Sequence, residues 1–163
     1  MKKNILIVGG TSGIGLELVK LLEAKNHLTV ASRSNESLND MTVTHIPFDV
    51  EADSLDVSEL PSTLDGLVYC PGTINLRPFK GLKPEVFEKD FSINVMGAVK
   101  VLQSVLGLLQ NSETPASVVF FSTVAVGIGM PFHSSVATAK GALEGLSRSL
   151  AAELSPKVRF NVI

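Results

Sequence analysis

Asn4-Ile5-Leu6-Ile7-Val8-Gly9-Gly10-Thr11-Ser12-Gly13-Ile14-Gly15-Leu16 is the stretch whose reading decides the fold. Ile5 to Val8 is short, apolar and rich in β-branched residues, and it runs straight into glycines, as a buried parallel strand does at its end. Beyond Gly13, Ile14, Leu18, Leu21 and Leu22 recur at helical spacing opposite Lys20, Glu23 and Lys25, which predicts an amphipathic helix to about Lys25. Between strand and helix, Gly9 permits a sharp turn, Gly13 lets a ligand approach the backbone, and Gly15 lets the helix pack closely on the strand. A turn of this kind at a helix N-terminus, with free N–H groups and the positive end of the helix dipole, is built to hold a phosphate.

Working outward, Leu28–Ala31, Val43–Pro47, Gly66–Tyr69, Ser117–Phe121 and Val158–Ile163 read as five further strands. Phe87, Phe91, Val95, Ala98, Leu102, Val105 and Leu109 mark one long helix face, with Pro84 suited to its first turn. Leu143, Leu146, Leu150 and Leu154 mark another. The mostly polar stretch Ser32–Asp40 is too short for a full crossover helix and reads as a loop or a helical turn. Strands alternating with helices predict an α/β fold: a doubly wound parallel sheet of Rossmann type in three layers, helices over both faces. At 163 residues the chain is read as one domain, residues 1–163.

Composition excludes several function classes. Apolar residues make up 45% and charged residues 18%, which suits strands buried on both faces, and mean hydropathy is +0.31. The net charge is −2 with basic residues scattered, so nucleic-acid binding is not expected. One cysteine, Cys70, leaves no disulfide framework and no cysteine-histidine cluster for zinc; the chain is expected to be cytoplasmic and to bind no metal. Ile5–Val8 is too short for a signal peptide core of about 7 to 15 residues, and no run approaches the roughly 18 apolar residues of a membrane span.

Position 33 lies about twenty residues beyond Gly13, where an acidic side chain would grip a ribose hydroxyl and an arginine would accept a 2′-phosphate. Ser32, Arg33 and Ser34 stand there, so NADP is expected over NAD, with a solvated loop arginine as the alternative. Asp49 follows the third strand, where it also suits the N-cap of a helix beginning near Glu51.

The glycine spacing resembles the short-chain dehydrogenase/reductase signature T-G-x-x-x-G-I-G, present here as Val8-Gly9-Gly10-Thr11-Ser12-Gly13-Ile14-Gly15. The resemblance runs the length of the chain. It implies that Gly9, Thr11, Ser12, Gly13, Ile14, Gly15, Ser32, Arg33, Asp49, Val50, Cys70 and Gly72 contact the cofactor. Asp49-Val50 is similar to the family's Asp-Val pair at the adenine, and Tyr69-Cys70-Pro71-Gly72 keeps only the glycine of Asn-Asn-Ala-Gly. It further implies hydride transfer between nicotinamide and a carbonyl or alcohol, served by a tetrad of Asn, Ser, Tyr and Lys.

Asn94 matches the Asn, a role that a purely structural hydrogen bond would equally explain, and Thr123 falls at the Ser, with Ser122 beside it. The family's Tyr-x-x-x-Lys stands here as Val136-Ala137-Thr138-Ala139-Lys140. Lys140, matched to the catalytic and ribose-binding lysine, is present, but Val136 has no proton to give. General acid catalysis is worth about 10²- to 10⁴-fold, so a slow enzyme is expected unless Lys140, His133 or Ser135 stands in. The alternative is a dinucleotide-binding protein without chemistry, acting as sensor, scaffold or dimer partner. Family members continue after Val158-Arg159-Phe160-Asn161-Val162-Ile163 with a Pro-Gly turn and a substrate-covering segment, so the domain is expected to be incomplete at that end. A homo-oligomer through helices four and five of the family, those carrying Asn94 and Lys140, is also implied.

Overall fold

The computed structural model describes residues 2–51 and 54–163. Its strands are β1 (Asn4–Val8), β2 (His27–Ser32), β3 (Thr44–Pro47), β4 (Gly66–Tyr69), β5 (Ala116–Phe120) and β6 (Val158–Val162). They form one six-stranded sheet in the order β3-β2-β1-β4-β5-β6, every pair parallel. The helices are α1 (Gly13–Leu22), α2 (Pro84–Phe91), α3 (Gly97–Gln110), α4 (Val124–Ile128) and α5 (Ser134–Leu154). The expected doubly wound α/β fold is the observed one.

The apolar runs are explained by alternation between two cores. Leu6 and Val8 of β1, Ala31 of β2, and Leu67 and Tyr69 of β4 enter the larger core with Val101, Val105, Leu109 and Leu143. Ile7 of β1, with Leu28 and Val30 of β2, enters the smaller core against Val19 of α1. Successive side chains point to opposite faces of a strand, so burial on both faces removes the polar half of the usual alternation. Because β1 neighbours both β2 and β4, the strand order reverses at β1, and a crevice opens beyond the ends of these strands, the usual ligand position in open α/β sheets.

Three readings of the sequence are corrected. The first helix stops at Leu22, short of Lys25, and the Asn26 side chain donates to the Leu22 carbonyl at 3.0 Å. The long apolar helix is interrupted by a π-turn at Ser92–Met96. Between β3 and β4 residues 52 and 53 lie outside the described residues, and 54–65 form no helix; Leu55 and Leu64 instead bury into the larger core. Glu36–Leu38 supplies the helical turn after β2. The span Pro84–Gln110 is long and apolar enough to cross a membrane by length and composition, which the reading of apolar runs did not find. Its apolar side, Ala98, Val101, Leu102, Val105 and Leu109, lies in the larger core of this domain.

Candidate functional site

The crevice at the sheet edge is a cleft of about 590 Å³, within the ordinary range for a cofactor site. Gly9, Thr11, Ser12, Gly13, Ile14 and Gly15 form one wall. Gly9 and Gly13 have φ of 77° and 51°, the left-handed region that favours glycine. A Cβ on Gly15 would stand 2.2 Å from the Gly9 carbonyl oxygen, so α1 reaches the strand end only because that carbon is missing. The space beside Gly13 is empty to 4 Å, on the side where a ligand would approach the backbone. These features fit a pyrophosphate held against the N-terminus of α1.

Ser32, Arg33, Asp49, Val50, Cys70 and Gly72 also line the cleft. The Ser32 hydroxyl is engaged, donating to the Ser34 carbonyl at 2.8 Å beside the His45 ring. Arg33 is exposed, and the ion pairs of the described residues, Lys20 with Glu17, Lys89 with Glu51 and Arg148 with Glu144, do not involve it. Asp49 accepts from the Glu51 backbone N–H at 3.0 Å, closing a turn in place of capping a helix. Phe48, Pro71, Thr73, Ile93 and Phe121 also line the cleft and were not expected as contacts from the sequence.

Asn94 and Lys140 stand behind Gly72, off the cleft wall. A Cβ on Gly72 would lie 3.1 Å from Asn94 Oδ1 and 3.4 Å from Lys140 Nζ, so amide oxygen and ammonium approach one point. Asn94 is fully buried; its Nδ2 donates to Thr73 Oγ1 at 2.9 Å and to the Asp90 carbonyl at 2.8 Å. Among the described residues its Oδ1 has no partner. Lys140 is 8% exposed, and burial pulls its ammonium below the ordinary range. A Cys70 thiolate would oppose that shift, but burial pushes the Cys70 thiol up to about 12, so it is protonated at neutral pH.

The π-turn aims Asn94. There the Gly97 N–H bonds to the Ser92 carbonyl, five residues back, and leaves the Ile93 carbonyl without its helical donor. The Tyr69 hydroxyl donates to that carbonyl at 2.6 Å. Gly97 makes room, since a Cβ there would stand 2.3 Å from the phenol oxygen.

The other expected side chains are placed elsewhere. Thr123 caps α4, its Oγ1 accepting from the Ala125 N–H at 3.3 Å, and it borders a second groove with Glu144, Arg148 and Ile163. Ser122 donates to Glu144 at 2.6 Å. Val136 is buried in the first turn of α5. His133 turns its Nδ1 to the Pro131 carbonyl, and Ser135 is 1% exposed and donates to Asp90 at 2.5 Å, so neither borders the cleft. Asp90 and Thr73 were missed as functional residues. Asp90 had left a signal: with Phe87 and Asn94 it shares one helix face, a carboxylate within an apolar stripe.

Residues 3–163 match the family described as short chain dehydrogenase. The chain is 30% identical to L-xylulose reductase of Bos taurus, over 99% of this chain and 70% of that protein. It is 29% identical to 3-ketodihydrosphingosine reductase of Dictyostelium discoideum, over 99% of this chain and 58% of that protein. A short chain dehydrogenase of Shigella flexneri complexed with NADP superposes with a TM-score of 0.90 at 23% identity, over 98% of this chain and 75% of that one. With the glycine turn, the strand order and the cleft already in place, the chain belongs to the short-chain dehydrogenase family of oxidoreductases, and its fold is the NAD(P)-binding Rossmann fold of that family.

Proposed function

We propose that the chain serves as an NADP-linked, cytoplasmic carbonyl reductase that works slowly. The observation that carries this reading is the meeting of Asn94 Oδ1 and Lys140 Nζ at Gly72, beside the cleft that the glycine turn also lines. When bound, the nicotinamide supplies the hydride. Gly9 to Gly15 hold the pyrophosphate, and Arg33 pairs with a 2′-phosphate through a charge-assisted fork. Lys140, behind Gly72, would hold the nicotinamide ribose. Both named relatives are reductases, one of a sugar and one of a sphingoid ketone, which supports a carbonyl substrate without choosing between such classes.

Slowness follows from the hydroxyl inventory. The Tyr69 hydroxyl is committed to Ile93 and the Ser135 hydroxyl to Asp90, while Val136 offers no proton. Incubation of the full-length protein with NADPH and a panel of sugar, aliphatic and aromatic carbonyls tests the reading. Val136→Tyr is expected to raise kcat on the order of 10²-fold, the lower range for a general acid. Because Val136 is buried, that variant also carries an overpacking cost of about 1–3 kcal/mol, visible in its melting. Arg33→Ala is expected to weaken NADPH binding about tenfold while leaving NADH binding within about twofold, since only the 2′-phosphate contact is removed.

Val136 also favours a second reading, a dinucleotide-binding protein without turnover that acts as sensor, scaffold or dimer partner. Tight NADPH binding with no turnover in either wild type or Val136→Tyr selects it. No binding at all sinks both readings. A homo-oligomer through the Asn94 helix and α5 belongs with either and is checked by sedimentation.

A further inference from the structure

We infer that Asp90 is a positioning residue, whose acceptor-only carboxylate, through Thr73, and backbone carbonyl together set which way the Asn94 amide faces. Asp90 is fully buried, and its carboxylate receives three donors from outside its own helix. Thr73 Oγ1 donates at 2.5 Å, Asn75 Nδ2 at 2.8 Å and Ser135 Oγ at 2.5 Å. The first two lie on the segment after β4 and the third at the start of α5, so one side chain ties three pieces of chain together.

The consequence is directional. A carboxylate only accepts, and a hydroxyl has a single proton to give. Once the Thr73 proton is committed to Asp90, Thr73 Oγ1 can serve Asn94 only as an acceptor. The amide nitrogen must therefore face Thr73, where it lies at 2.9 Å, and its second proton goes to the Asp90 carbonyl at 2.8 Å. Both amide protons are spent, and Oδ1 is turned toward Gly72 and Lys140, an acceptor ready for an N–H or O–H donor. Were position 90 able to donate as well as accept, Thr73 could turn its proton toward Asn94, and the Asp90 backbone carbonyl alone would hold the sense of the amide. Buried polar networks have such leverage because no water stands by to replace a lost partner.

The role in turnover rests on the oxidoreductase reading above; the orientation of the amide does not, and the test separates the two. In the ¹⁵N-labelled full-length protein, the Asn94 side-chain amide pair is identified by its loss in Asn94→Ala. Both of its protons should exchange slowly with solvent in the wild type. Asp90→Asn should speed that exchange on the order of tenfold or more, the effect of freeing one buried hydrogen bond. It should also lower kcat for NADPH-dependent carbonyl reduction on the order of tenfold, with KM for NADPH within about twofold. Thr73→Val, which cuts the link while leaving Asp90 in place, should have the same effect, and Thr73→Ser should retain the slow exchange. Should Asp90→Asn fail to fold, the Thr73 pair decides alone. Slow exchange preserved in Asp90→Asn and Thr73→Val, or Thr73→Val and Thr73→Ser behaving alike, overturns the inference. Absence of turnover in the wild type overturns the oxidoreductase reading instead, and the exchange measurement still decides this one.

Discussion

The two ends of the binding region are built on opposite principles. At the glycine turn the work is done by backbone and by atoms that are missing, within a few residues of sequence, with an exposed arginine beside it at the end of β2. Behind Gly72 it is done by buried side chains from distant segments: Tyr69 on Ile93, Thr73 and Ser135 on Asp90, and the orphaned oxygen of Asn94 facing a desolvated Lys140. The first end rests on positions where a side chain would clash, at Gly15, or strain the backbone, at Gly9 and Gly13. The second keeps its scaffold of hydrogen bonds although the phenol expected at Val136 is gone. On the reading proposed above, holding a cofactor and handling a proton are separable properties of this fold, the first kept and the second loosened.

The sharpest way to break the comparison is at the backbone end. Gly15→Ala places a carbon 2.2 Å from the Gly9 carbonyl oxygen, and neither backbone atom can withdraw without moving α1 away from β1. A loss of about 3 kcal/mol, the upper part of the range for overpacking, is expected in urea unfolding, together with loss of NADPH binding. Wild-type affinity in this variant would mean that the turn is softer than its geometry implies.

At the buried end the expected effect is smaller. Tyr69→Phe leaves the Ile93 carbonyl of the π-turn without its donor, the loss of one part-buried hydrogen bond costing about 0.5–1.5 kcal/mol. NADPH binding at the glycine turn should change little, while turnover should fall with the aim of Asn94. Equal losses of binding and turnover would show that the two ends are one mechanical unit.

The same contrast explains what could be read from the sequence. The strands were legible because two-sided burial makes Ile5–Val8 and Gly66–Tyr69 nearly all apolar, and the glycine turn because its function is local. Eleven other expected cofactor contacts besides Gly9 line the cleft with it, from Thr11 through Arg33 to Gly72. The π-turn was not legible, since one extra residue shifts a helical period too little to disturb the apolar face from Phe87 to Leu109. The Asp90 anchor was legible only as a carboxylate in that apolar face, since its partner Ser135 is 45 positions away and leaves no periodic trace. Thr123 sat at the expected strand end, but its side chain turned to the cap of α4, a five-residue helix with too little pattern to be foreseen.

The finest test of the comparison is electrostatic. Burial disfavours the Lys140 ammonium in the folded protein, so its folded value lies below the ordinary 10.5. Below that lowered value both folded and unfolded chains hold the proton, and the cost of burying the charge is borne in full. Between the lowered value and 10.5 the unfolded chain binds more protons than the folded one, so stability from this group rises with pH. Lys140→Met, which keeps the length of the side chain and removes the charge, should therefore be more stable than wild type at pH 7, and its advantage should shrink as pH climbs toward 10.5. Cys70, raised to about 12, remains a thiol across this window and does not reverse the sign. Urea unfolding of both proteins at about pH 7 and pH 10 reads the effect as a difference of differences, which cancels the titration of every other lysine. The variant should at the same time bind NADPH more weakly. A stability gap that stays constant or widens with pH would mean that water reaches the ammonium, and the buried end of the site would then be wetter, and its lysine more ordinary, than the open end it serves.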